Sequence, residues 1–388
     1  MSDSRLIPAH RKVSRLRPLL SATLLGLAVM SASVSSAVHA APVVQESAKQ
    51  NFQEVYQAFQ QAEADPNTPK SELQQLAFAS YMRGREYFGA DHINTANLAL
   101  NHLLLLDAAQ RVGEQQHALA ALVVRVFEDE YGSSAIELLD PLLLALETMP
   151  EVNEERISDY ELKFAEIFSA RKTENPTFVL AVKTAMAEQL LRLNQSRPNL
   201  WTSLYQDSRE QLGEDHPSTI KTAFYAAMED AGNDRLKAAI DKLERVVSAD
   251  AAGKSAVIQL QLAAYYRLVS FYGRLDEYEK VTAALTRLGQ MNNELGGGLV
   301  EEALFRVTPE FPAAEAQAGR EGSVELIYDV GRNGRPQNIR IVSETSAAFG
   351  QSARDAVAGW LYVPAYENGN PVVRKNVEVQ LDFALQKD

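Results

Sequence analysis

Two periodicities divide the chain. Across residues 50–295 apolar residues recur three and four positions apart, the stripe of amphipathic helices, and alternating stretches are almost absent. Beyond residue 322 the period changes to two. Val324, Leu326, Tyr328 and Val330 alternate with Glu325 and Asp329, as in a half-buried strand. Residues 331–336 (G-R-N-G-R-P) supply turn chemistry, since glycine reaches positive φ without steric cost, and Ile339 and Ile341 open a second strand. Phe349, Ala353, Ala356, Val357 and Trp360 fall at i, i+4, i+7, i+8 and i+11, one stripe of a helix. After Pro364 and an N-G-N-P turn, Val377, Val379, Leu381, Phe383 and Leu385 face one way, and Asn376, Glu378, Gln380 and Asp382 the other. The pattern predicts a ββαβ module, one helix laid across a small antiparallel sheet.

The helical region repeats itself. Gly89-Ala-Asp-His-Ile-Asn-Thr95 and Gly213-Glu-Asp-His-Pro-Ser-Thr219 share G-x-D-H-x-x-T and lie 124 residues apart, three steps of about 41. The same step lands on breaks at Gly132-Ser-Ser, Thr173-Glu-Asn-Pro176 and Gly253-Lys-Ser255. Each break precedes a predicted helix of about 15–20 residues, an interruption and a second such helix. Gly113, Pro150, Pro198, Gly232-Asn233 and Gly273-Arg-Leu-Asp276 supply the interruptions. Two helices per unit of about 40 residues describe a solenoid. Five units follow residue 89, with a degenerate helical pair at 50–88. Gly296–Gly298, three consecutive glycines, mark the boundary with the sheet module.

A chain of 388 residues exceeds one ordinary core, in keeping with two domains. The net charge of −13 argues against nucleic acid, which rewards a basic face. Cysteine is absent, which removes disulfides, thiolate metal sites, cysteine nucleophiles and a lipoprotein anchor. Arg5, Arg11, Lys12, Arg15 and Arg17 precede an apolar stretch from Leu19 to Met30, and Val38-His39-Ala40 offers a cleavage site. Residues 1–40 are therefore expected to be a cleaved signal peptide, with an uncleaved anchor as the alternative. An anchor needs roughly 20 apolar residues, and five serines interrupt Ser21–Ser36.

Candidate chemistry is thin. His92 and His216 occupy matching turn positions and read as turn residues, with a metal site as the alternative; His102 and His117 read as structural. Gly331–Gly334 and Gly296–Gly298 lack the strand, helix and Lys-Ser/Thr of a phosphate loop. Asp129/Glu130 and Glu154/Glu155 sit on predicted exposed helix faces. The leucine-rich runs 103–106 and 141–146 are expected to pack between repeats rather than meet a membrane. Tyr225, Tyr265, Tyr266 and Tyr272 are candidates for a concave binding face or for packing. No catalytic constellation, metal set or cofactor motif emerges, so no enzyme is expected.

The order Pro312, Gly322, Gly334, Trp360, Pro364, Gly369 and Phe383 resembles the C-terminal domain of TonB, matching over Pro309 to Leu385. The G-x-D-H-P-x-T turn resembles the tetratricopeptide (TPR) repeats of the kinesin light chain type. The resemblances imply an all-α TPR-like superhelical solenoid at 41–294, a glycine linker at 295–298 and a small α+β TonB-like domain at 299–388. They imply a Gram-negative periplasmic adaptor: the array binds an unknown protein partner, and the domain takes the TonB box peptide of an outer-membrane TonB-dependent transporter. Mapped by motif, the peptide pairs with the last strand: Arg374, Lys375, Val377, Glu378, Val379, Gln380, Leu381, Asp382 and Phe383. An edge strand offers unpaired N–H and C=O groups for such addition, or for pairing in a homodimer. An inner-membrane-anchored energy transducer is the alternative, although the family's Pro-rich spacer is missing.

Overall fold

The computed structural model describes residues 42–171, 175–250, 255–297 and 300–385. The signal segment expected at 1–40, the breaks at 173–174 and 253–254, and Gly298 lie outside the described residues. The helices are α1 (Pro42–Ala64), α2 (Lys70–Phe88), α3 (Ile93–Leu105), α4 (Ala108–Arg111), α5 (Glu114–Tyr131), α6 (Leu139–Thr148) and α7 (Glu154–Arg171). They continue as α8 (Pro176–Arg192), α9 (Leu200–Leu212), α10 (Pro217–Gly232), α11 (Leu236–Ser248), α12 (Ser255–Arg274) and α13 (Tyr278–Glu294). The chain forms two compact units, Met1–Leu200 and Trp201–Asp388. Within each, helices pair with their neighbours in sequence in TPR-like fashion, as α1 with α2 and α10 with α11.

Two kinds of turn produce the repeat. At Gly89, Gly132 and Gly213 the backbone takes φ of +97°, +90° and +85°, and each N–H closes the preceding helix on Arg85, Glu128 or Arg209. After the first and third of these, the imidazole Nδ1 of His92 or His216 accepts from the N–H of Asn94 (3.1 Å) or Ser218 (3.2 Å). The shared histidine is thus an N-cap. Thr95 and Thr219 are buried, donating to the carbonyls of Gly89 and Ser208, while Asp91 pairs with Arg125 and Asp215 with Arg245. The second kind reverses the chain inside a unit. Asn194, Asp234 and Asp276, 40 and 42 residues apart, have φ of 54°, 57° and 58°. The N–H following each donates to a carbonyl five residues back, on Leu190, Asp230 or Tyr272, the Schellman arrangement.

The expected long helix after Gly132 is a correction. A 3-10 turn (Ile136–Leu138) leads into α6, of ten residues. Pro150 ends the segment, and Leu142–Thr148 are buried on every side, so no polar face is left to extend along the surface. Glu147 is buried in this helix and pairs with Arg111 at 2.9 Å. Arg111 also donates to the carbonyls of Leu103, Leu104 and Leu106, which helix geometry leaves without partners at the end of α3. The leucine runs form core, and among the described residues no helix is long and apolar enough to cross a membrane.

The second unit ends in the sheet module: β1 (Ala303–Phe305), α14 (Ala313–Gln317), β2 (Gly322–Val330), β3 (Pro336–Glu344), α15 (Ala347–Ala358), β4 (Leu361–Tyr362), β5 (Ala365–Glu367), β6 (Asn370–Val372) and β7 (Arg374–Phe383). The expected ββαβ is β2, β3, α15 and β7; four short strands are added to it. All pairings are antiparallel, with orders β3-β2-β7, β1-β4 and β5-β6. Asn368 and Gly369, at φ of 50° and 78°, form the two-residue turn of the β5-β6 hairpin.

That hairpin rests on α13. Gly289 is buried inside the helix, where glycine costs about 1 kcal/mol relative to alanine. A Cβ there would stand 2.8 Å from the Tyr366 ring and 2.9 Å from the Pro364 carbonyl oxygen. The Tyr366 hydroxyl donates to the Thr286 carbonyl at 3.3 Å, and Arg335 donates to the Thr282 hydroxyl at 3.2 Å. Gly296 and Gly297 extend no helix; the Gly297 N–H closes α13 on the Asn292 carbonyl. Gly289→Leu should lift the hairpin off α13 and let the module tumble faster than the helices in amide ¹⁵N relaxation. Unchanged relaxation would show that this contact does not hold the module.

Candidate functional site

β2 is the spine of the module. Its inward residues Val324, Leu326, Tyr328 and Val330 are fully buried, and α15 crosses over β2 and β3 to cover them with Phe349, Ala353 and Val357. The Trp360 indole donates to the Val307 carbonyl at 3.0 Å, tying down the segment that leads into the module. The Tyr328 and Tyr362 hydroxyls meet at 2.5 Å in the interior, where burial pushes the Tyr328 phenol far above its ordinary value. Phe311 sets its ring edge-on to Phe349 and Phe383, at 5.5 and 5.9 Å.

β7 is the outer strand of β3-β2-β7 and pairs with β2 alone, from Gly322↔Phe383 to Val330↔Arg374. Among the described residues its other edge has no strand partner. The expected alternation is present. Phe383 is buried, Val377, Val379 and Leu381 are half-buried against the core, and Glu378, Gln380 and Asp382 are exposed. The apolar row is only half covered because α15 packs over β3 and β2 rather than over β7.

The nine residues singled out by motif do not all sit alike. Val377 to Phe383 lie on the open strand, and Lys375 is exposed at its start. Arg374 is engaged within the module: its guanidinium donates to the carbonyls of Glu301 (2.9 Å) and Val300 (3.4 Å) and lies 5.1 Å from the Tyr362 ring centroid. It anchors the chain entering β1.

Asp329, near the end of β2, escaped the sequence reading. Its carboxylate accepts from the Asn338 side-chain amide on β3 (2.9 Å) and from the Asn376 N–H on β7 (3.1 Å). Both asparagines adopt positive φ, 55° in each case, where the register of each pairing shifts. One side chain on the central strand thus fixes an irregularity in both neighbours. An asparagine inside each alternating strand was the available signal, since that residue tolerates the left-handed region.

The remaining candidates are dispersed between the interior and the surface. Tyr272 is buried and donates to Glu244 at 2.7 Å, Tyr225 packs 4.4 Å from the Trp201 ring, Tyr265 is half-buried, and Tyr266 is exposed. His117 is buried with Nδ1 3.0 Å from the Ala145 carbonyl oxygen, and His102 lies beside Phe78; burial pushes both imidazoles below their ordinary value. Asp129, Glu130, Glu154 and Glu155 are exposed. Among the described residues no three potential ligands come together as a metal site.

Residues 307–385 match the family model described as Gram-negative bacterial TonB protein C-terminal, which identifies the module as a TonB C-terminal domain. No curated protein matches the sequence. Among solved structures, the crystal structure of BtubC (BKLC) from P. vanneervenii is similar at 14% identity and a TM-score of 0.35, covering 66% of this chain and 92% of that one.

The Asp329 clamp has a pH signature. Hydrogen bonds from Asn338 and then Asn376 hold its carboxyl below the ordinary carboxylate range. Its contribution is therefore complete above about pH 4, and is lost as pH falls through the lower folded value. Asp329→Ala should lower the melting temperature at pH 7 and lessen the further drop between pH 5 and 3. An equal drop in both proteins would contradict the clamp.

Proposed function

We propose that the protein is a periplasmic, non-enzymatic adaptor. Its TPR-like array binds one protein partner, and its TonB C-terminal domain captures the TonB box of an outer-membrane TonB-dependent transporter as a strand added to β7. The observation that carries this reading is the open outer edge of β7 in a domain matched by the TonB family model. Strand addition draws affinity from main-chain hydrogen bonds and specificity from alternate side chains, and β7 offers both. The chemistry is tethering: the sheet holds one partner's extended segment while the helical pairs hold another.

Array and capture edge meet in the second unit through the hairpin on α13, which supports transmission of orientation between them. A ten-residue β7 is long enough for a segment of seven or eight residues to pair along it. Titration with a TonB box peptide should shift the amide signals of Val377–Leu385 while those of β3 change little. If the largest shifts fall elsewhere, capture at β7 is wrong. Concentration-dependent shifts of the same amides without peptide, with a doubling of mass in sedimentation, would assign the edge to a homodimer instead.

A further inference from the structure

Strand addition at β7, if it occurs as proposed above, presents two different rows to the incoming segment. The row on the core-facing side is apolar and incompletely covered: Val377, Val379 and Leu381 touch the core yet remain half-exposed. The row on the other face is Glu378, Gln380 and Asp382, all exposed. Behind it on β2, Glu325 stands opposite Gln380, Ile327 opposite Glu378 and Ser323 opposite Asp382. Glu325 accepts from the Ser343 hydroxyl and Asp382 from the Gln380 amide; neither bond neutralises a charge. Among the described residues Glu378, Asp382 and Glu325 form no salt bridge. The nearby cations are Arg340, on the far side of β2 opposite Ile327, and Lys375 at the start of β7.

We infer that the β7 edge selects an extended peptide with apolar residues at alternate positions and basic residues between them. The apolar side chains would continue the half-covered row of Val377, Val379 and Leu381 and remove it from water. The intervening side chains would stand beside Glu378, Gln380 and Asp382. Directly opposed unlike charges stabilise neighbouring strands, and like charges destabilise them. Glu378 and Asp382 are thus the specificity-determining residues of the edge, and their effect weakens with salt because both are exposed.

The test uses the full chain and three fluorescent eight-residue peptides in which valine alternates with lysine, threonine or glutamate. Binding is followed by anisotropy and located by amide shifts along β7. The lysine peptide should bind most tightly and the glutamate peptide least, with a spread of roughly tenfold or more at low salt that narrows as salt is added. In the double variant Glu378→Lys, Asp382→Lys the order of lysine and glutamate peptides should invert. Both substitutions are on the exposed face, and the threonine peptide reports whether the edge survives them. Equal affinities in the unmodified protein, or an order unchanged in the variant, would overturn the charge preference while leaving strand capture intact. If no peptide, threonine included, shifts the β7 amides, strand capture itself fails and the preference with it.

Discussion

The module depends on β2 having a neighbour on each side. It is the only strand among the described residues paired along both edges, and Asp329 on it fixes a backbone irregularity in each partner. Once β3 and β7 are set against that spine, the rest follows. The connection from β3 returns as α15 over β3 and β2, and β7 is left as the outer strand with one ladder of backbone groups unused. A buried edge with unpaired groups would be costly, so exposure of this one is also a physical requirement of the topology.

The helical part solves a different problem, that of repeating a reversal every 40 residues or so. It uses residues that reach positive φ: glycine between units at 89, 132 and 213, and asparagine or aspartate within units at 194, 234 and 276. Between the turns, two buried carboxylates are paired with basic side chains. Arg111 meets Glu147 and three helix-end carbonyls, and Asp230, nearly inaccessible, is held by Arg235 and Lys242. Removing one member of the Arg111–Glu147 pair, in which both side chains are largely buried, typically costs about 3–5 kcal/mol. These groups shape the array.

Much of this architecture is legible in the residues. The change of hydrophobic period separates helices from sheet, the G-x-D-H-x-x-T pair marks equivalent turns, and the alternation from Val377 to Phe383 assigns the faces of β7. Three features resist a sequence reading for physical reasons. α6 is short because it is enclosed on all sides, a property of its neighbours. Arg374 turns inward because carbonyls of Val300 and Glu301, far away in sequence, come within its reach. Gly289 resembles an unfavourable helix residue until the Pro364 carbonyl is seen against it. Each depends on contacts between distant segments, which local pattern does not encode.

The central claim is that β7 carries an open ladder in the free protein. Hydrogen exchange of its amides tests that most directly. Successive N–H groups of a strand point to opposite sides, so exchange from Val377 to Phe383 should alternate between slow, for amides bonded to β2, and fast, for those on the outer edge. Addition of a TonB box peptide should slow the fast set alone. Uniformly slow exchange along β7 before any peptide is added would mean that the edge is already occupied, and would contradict the account.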